Sequence, residues 1–236
     1  MIIDYIWHDT RNSTCYGSAM PKPCPKPPTP AASDRYHHGN LVEALISATI
    51  ELIEERGVEH VSVREAARRA GVSPGAPFRH FATKTALMTA VGEQATARLK
   101  AAVDVAVNAT LGEKPLRRLE ALGGAYLQWA LDNPTHFQVI SSRSLIDIAS
   151  SDRIRGANDE IRTVMVRLLE EAREDGALAP DIDVNQVVLL TRALGYGLAR
   201  MAVDGHFPEW HAFEPPAEAL PKALKLFIGL LGARAT

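Results

Sequence analysis

Two short amphipathic stretches, Val63 to Ala70 and Pro74 to His80, flank the break Gly71-Val72-Ser73. Each is too short to persist alone, because isolated helices below about 12 residues are marginal in water. Both must be held by longer neighbours, so the segment imposes a small helical scaffold around itself. Ser62-Val63-Arg64-Glu65 has the spacing of a capping box, in which the Ser hydroxyl and the Glu carboxylate reciprocally satisfy orphan amides. Ser73 reads as the cap of the second stretch, with Pro74 at its first helical position. Ala66, Ala67 and Ala70 permit close approach of the two helices. A helix-turn-helix of this size, with its motif at 62–81, is the geometry that lets a second helix enter the major groove of DNA.

Global composition points the other way. The 236 residues carry a formal charge of −2, with 46% hydrophobic and 23% charged residues, an ordinary soluble pattern that by its sign argues against a nucleic-acid partner. The local balance reverses this. From Ser62 to Lys84 the basic residues Arg64, Arg68, Arg69, Arg79 and Lys84 stand against Glu65 alone, a sum of +4 that leaves −6 for the rest. No apolar run reaches the roughly 18 residues of a membrane span, and no basic leader precedes the short N-terminal apolar patch. With Cys15 and Cys24 alone, a disulfide scaffold is excluded and a cytoplasmic home is expected.

Pro21, Pro23, Pro25, Pro27, Pro28 and Pro30 mark residues 1–33 as a disordered tail, with Cys15 and Cys24 idle within it and Met20 an alternative start. From Asp34 onward the periodicity is helical, in about nine segments. Leu41, Leu45, Ala48 and Leu52 give the first an apolar stripe ending at Gly57. Thr83 opens a long helix through Leu87, Val91, Leu99 and Val103, and Asn133-Pro134 separates two that follow. Ile154 to Asp175, Val184 to Val203 and Ala217 to Leu231 complete the chain. No segment sustains period-two alternation, so the fold class is all-α.

Gly71 through Phe81, followed by Thr83-Lys84 and preceded by Val63 through Ala70, resembles the DNA-binding domain of the TetR family of bacterial regulators over about Tyr36 to Gln94. Tyr36-His37-His38-Gly39-Asn40-Leu41 and the Ala76-Pro77 before Phe78 further resemble a subgroup with a Trp-His-Gly type C-terminal domain, Arg192-Ala193-Leu194-Gly195-Tyr196-Gly197 occupying the matching helix. The resemblance implies a three-helix DNA-binding domain at 34–95 and a helical bundle for ligand binding and dimerisation at 96–236.

It also implies site residues. Pro74 to His80 becomes the recognition helix, with Ser73 and its N-terminal amides toward phosphate. Ser62 and Arg64 grip the backbone on one side and Lys84 on the other. Arg79, Gly75 and Ala76 read bases, and His80 donates to a phosphate. Phe78 stands where the family usually has Tyr, losing a hydroxyl contact while keeping its packing. Pro77 bends the recognition helix or forces a tighter turn. His37 and His38 have no ligand-spaced partner for a metal, and no cofactor is expected.

Tyr126, Trp129, Phe137, Met165, Leu168 and Tyr196 are candidates to line a cavity for an apolar effector, although each serves equally as plain core. Arg143 reads as a surface residue that could also meet an acidic ligand. Leu190, Ala193, Leu194 and Gly197 in one late helix, with Leu224 and Phe227 in the last, are candidates for a two-fold interface. The functional expectation is a homodimeric, effector-released repressor on a palindromic operator. Two alternatives stay open: an all-α enzyme or carrier with a vestigial helix-turn-helix, which no catalytic set supports, and a ligand-independent activator or architectural DNA-binding protein.

Overall fold

A computed structural model describes residues 41–232. The tail 1–33, Cys15, Cys24, Met20 and the His37-His38 pair lie outside the described residues. Within them eight α-helices follow one another: α1 Leu41–Arg56, α2 Val63–Arg69, α3 Lys84–Ala109, α4 Pro115–Asp132, α5 Pro134–Ser141, α6 Asp152–Glu174, α7 Val184–Val203 and α8 Pro216–Gly232. The architecture is all-α, with no strand among the described residues and no helix long and apolar enough to cross a membrane.

The helix ends follow local chemistry. Ser62 and Thr83 accept the amides of Glu65 and Ala86 at 3.1 and 3.0 Å, capping α2 and α3. Only half of the expected capping box forms, because the Glu65 carboxylate turns to Arg56 and Arg68 instead of the Ser62 amide. Gly71, at φ +69°, closes α2 with the Val72 amide on the Ala67 carbonyl and its own on Arg68, the paired bonds of a Schellman motif. Asn133 does not cap α5. Its side-chain amide donates back to the Trp129 carbonyl at 2.9 Å, terminating α4.

The expected recognition α-helix at Pro74 to His80 does not form; a 3-10 helix spans Ala76–Arg79 instead. An α-helix begun at Pro74 would need Pro77 to donate to the Ser73 carbonyl, and proline has no amide hydrogen. Gly75 adds an entropic cost. The chain takes the tighter pattern, with Ala76 donating to Ser73 at 3.0 Å and His80 to Pro77 at 2.9 Å. Ser73 therefore makes no side-chain cap.

Two apolar clusters share α3. Its first turns place Leu87, Met88 and Val91 against Leu45, Leu52 and Ile53 of α1 and Val63, Ala66 and Ala67 of α2. Beyond Ala95 the same helix turns Leu99, Val103 and Val107 into the bundle made with α4, α6, α7 and α8. Helix α5 straddles the division: Phe137 belongs to the bundle and Val139 to the cluster of α1 and α2. Helices α4 and α8 approach closely at Gly123, where even a Cβ would come within 2.9 Å of Leu224 Cδ2.

Candidate nucleic-acid interface and interior cavity

The residues expected to meet DNA fall mostly on exposed surface. Ser62 and Arg64 are exposed at the start of α2, as are Ser73, Pro74, Gly75, Phe78, Arg79 and His80 along the turn and 3-10 segment, while Ala76 and Lys84 are half-buried. The apolar anchoring differs from expectation. Phe78 does not keep a core position: it is 44% exposed, and Pro77 and Phe81 are the buried members of the segment. With so short a helical turn, the expected dipole at Ser73 has little length from which to accumulate, and any anion contact there falls to individual amides.

The basic patch divides into two sets. Arg68 pairs with Glu65, and Arg69 is bound by Glu51 and Glu55 of α1. The Arg69 guanidinium holds the Glu55 carboxyl below its ordinary range, and Arg68 does the same for Glu65. These arginines fasten α2 to α1 and to itself. Among the described residues Arg64 and Arg79 have no ion pair or side-chain hydrogen bond, which leaves them available to an outside anion. Lys84, expected at a backbone phosphate, also has a partner within the fold. Its Nζ donates to the Val58 carbonyl at 2.6 Å, tying the start of α3 to the 3-10 segment Val58–His60 after α1.

Inside the bundle lies a cavity of about 600 Å³, within the range of small-molecule sites. Tyr126, Phe137, Met165 and Tyr196 line it. The Phe137 ring meets Tyr126 edge-on at 6.3 Å and Tyr196 at 6.2 Å. Trp129 and Leu168, the other two candidates, are core residues outside the lining. The sequence reading missed Thr96, Asn158, Ile161 and Arg192, while Arg143, read as a surface residue that could also meet an acidic ligand, is exposed and lines the cavity. Among the described residues no aspartate or glutamate lines it. Burial pushes the Tyr126 phenol up to about 12, against a smaller opposing effect of the Arg192 charge. Among the described residues no cluster of three His, Cys, Asp or Glu could hold a metal.

The candidate interface residues separate similarly. Leu190 is 55% exposed, Ala193 is exposed, and Leu194, Gly197 and Phe227 are partly covered. Leu224 is not available to a partner, because it is buried against Gly123 and the cavity. Leu189, which the sequence places beside Leu190 and Leu194 on α7, is exposed as well, and so are Leu226 and Leu230 on α8, which the sequence reading missed.

Residues 45–91 match the family model described as bacterial regulatory proteins, tetR family, and residues 119–227 match one described as the tetracyclin repressor-like C-terminal domain. The chain is 27% identical over 158 residues to the HTH-type transcriptional repressor KstR2 of Mycolicibacterium smegmatis, covering 64% of this chain and 73% of the relative. A Rhodococcus protein of unknown function has a similar structure, with TM-score 0.70, 29% identity and coverage of 84% and 99% of the two chains. The ketosteroid transcriptional regulator KstR2 of Mycobacterium tuberculosis shares the fold at TM-score 0.57 and 20% identity, with 82% and 93% covered.

Proposed function

The chain belongs to the TetR family of bacterial regulatory proteins and is a DNA-binding transcriptional regulator, and from that premise we propose that it works as a cytoplasmic homodimeric repressor released by a small effector. In this reading residues 34–95 are the DNA-binding domain and 96–236 the effector and dimer domain. The unpaired Arg64 and Arg79, with Ser62, Ser73 to Ala76 and His80, face the operator, and Phe78 brings an apolar ring to the groove where thymine methyls lie. A single turn of this size reads too few base pairs to discriminate a site, so two copies are needed on a palindrome. The exposed apolar side chains of α7 and α8, Leu189, Leu190, Leu226 and Leu230, suit the two-fold contact.

One observation carries the effector half of the proposal: the cavity and the N-terminal core share walls. Ile154 lines the cavity and also packs in the cluster of α1 and α2. Helix α5 presents Phe137 to the cavity and Val139 to that cluster two residues later. A ligand that displaces Phe137 or Ile154 therefore acts on the seat of α1, and α3, common to both clusters, carries the change to the DNA-facing turn. Such coupling is as large as the ligand's preference for one arrangement over the other. The test is a gel shift on the DNA upstream of the protein's own gene, repeated with extracted metabolites. A low-salt shift reversed by a metabolite is expected. A shift that no metabolite reverses defeats the effector reading, and no shift at any salt defeats the operator reading.

A further inference from the structure

We propose that the cavity takes an anionic amphiphile, its acidic head held at the mouth by Arg143 and Arg192 and its apolar body among Phe137, Ile140, Ile161 and Met165. This rests on the reading of the cavity as the effector site and adds the charge of the effector. Many of the bundle's other arginines have carboxylate partners: Arg117 has Glu120, Arg118 and Arg167 share Glu171, and Arg200 has Asp204. Arg143 and Arg192 have none among the described residues. Both are exposed, which sets the charges at the rim and leaves an apolar interior behind them.

The sign of the ligand follows from what each class would gain. A cation would meet two like charges and no carboxylate. A neutral ligand would leave both guanidinium charges without a counter-charge and gain only ordinary hydrogen bonds from them. A carboxylate supplies charge-assisted hydrogen bonds in the planar geometry that guanidinium fits best. The Tyr126 phenol lines the same cavity, has no side-chain hydrogen bond among the described residues, and is a further donor to a head-group oxygen.

The full-length protein is titrated calorimetrically with two matched pairs, decanoate against decanol and 1-pyrenebutyrate against 1-pyrenebutanol, the linear and fused-ring bodies covering two shapes of apolar tail. At least one acid is expected to bind about tenfold or more tightly than its alcohol. R143Q/R192Q should remove that advantage while leaving the alcohol's affinity and the circular dichroism unchanged. I161W, which fills the cavity, should abolish binding of the acid. Equal binding of acid and alcohol in both pairs overturns the charge assignment yet upholds the cavity as a ligand site. An acid preference that survives R143Q/R192Q, or acid binding that survives I161W in a folded protein, also overturns the proposal. Failure of all four probes to bind overturns both the proposal and the effector-site reading.

Discussion

Replacing Lys84 with Met tests whether one side chain both braces the N-terminal core and reaches DNA. Its ammonium donates to the Val58 carbonyl at 2.6 Å from a half-buried position. A hydrogen bond from a charged donor contributes roughly 1.5–3 kcal/mol, and partial solvation of the ammonium sets the figure here at about 1.5. The position opposes it. A cation in the first turn of α3 works against the helix dipole, so its removal returns about 0.5 kcal/mol. Lys and Met have nearly equal helix propensity, which adds no third contribution. The net loss is about 1 kcal/mol, a fall in Tm of about 2–4 °C for a chain of this size, read by thermal circular dichroism. The ammonium keeps two further N–H groups for a phosphate. On the upstream DNA fragment, K84M should therefore also lower the magnitude of the salt slope by about 1.8, about 0.9 for each copy of the dimer. An unchanged or raised Tm would refute the brace, because the dipole would then outweigh the Val58 contact. An unchanged slope with a lowered Tm would confine Lys84 to structure.

Arg64→Gln should lower the magnitude of the salt slope by about 1.8, about 0.9 for each copy of the dimer, and Arg79→Gln should relax discrimination among operator sequences, each with no change in Tm, whereas Arg69→Gln should lower Tm and leave the slope alone; the reverse pattern would contradict the division of the basic patch. Phe137→Ala removes a fully buried ring from the aromatic cluster, at a cost of about 3–5 kcal/mol and thus more than about 6 °C in Tm; a loss under about 2 °C would place the ring outside the core. Burial, aided by the charge of Arg98 on α3 and opposed by that of Glu54 on α1, holds the imidazole of His136 on α5 below the ordinary value of 6.5. The unfolded chain then binds the proton first, so this residue's stability contribution is complete above pH 6.5 and is lost as pH falls below it. His136→Gln should accordingly narrow the Tm difference between about pH 7.5 and 5.5; an equal or wider difference would contradict the sign.

Where the signal is local, the sequence predicts this structure well. The Ser62, Thr83 and Gly71 boundaries arise from bonds spanning a few residues, and the helical stripes of α1, α4 and α6 are visible as spacing. The misreadings have physical sources that spacing does not carry. Arg68 and Arg69 look like free charge in a window sum, but Glu51 and Glu55, which hold Arg69, sit on a different helix. Trp129 and Leu168 each lie three residues beyond a true lining residue, Tyr126 and Met165. Three residues on an α-helix return a side chain to within roughly 60° of the first, close enough to look equivalent and far enough to face core instead of cavity. The Ser73 cap failed for a different reason: Pro74 is favourable at a helix start, but a second proline three positions on removes the bond that would propagate it.

The sharing of α3 between two apolar clusters bears on modularity. An effector-sensing half grafted onto another DNA-reading half is ordinarily cut at a linker, and between the turns of α3 that carry Val91 and Leu99 there is none. Severing the helix there would keep Leu99, Val103 and Val107 with their bundle partners but would part Leu87, Met88 and Val91 from the rest of α3. The N-terminal helices would likewise lose Val139, Ile146 and Ile154, which come from beyond the cut. A working chimera must therefore carry α3 whole and bring α5 and the Ile146 to Ile154 segment with the helices they support, so the exchangeable unit is a set of contacts that crosses the chain's linear order.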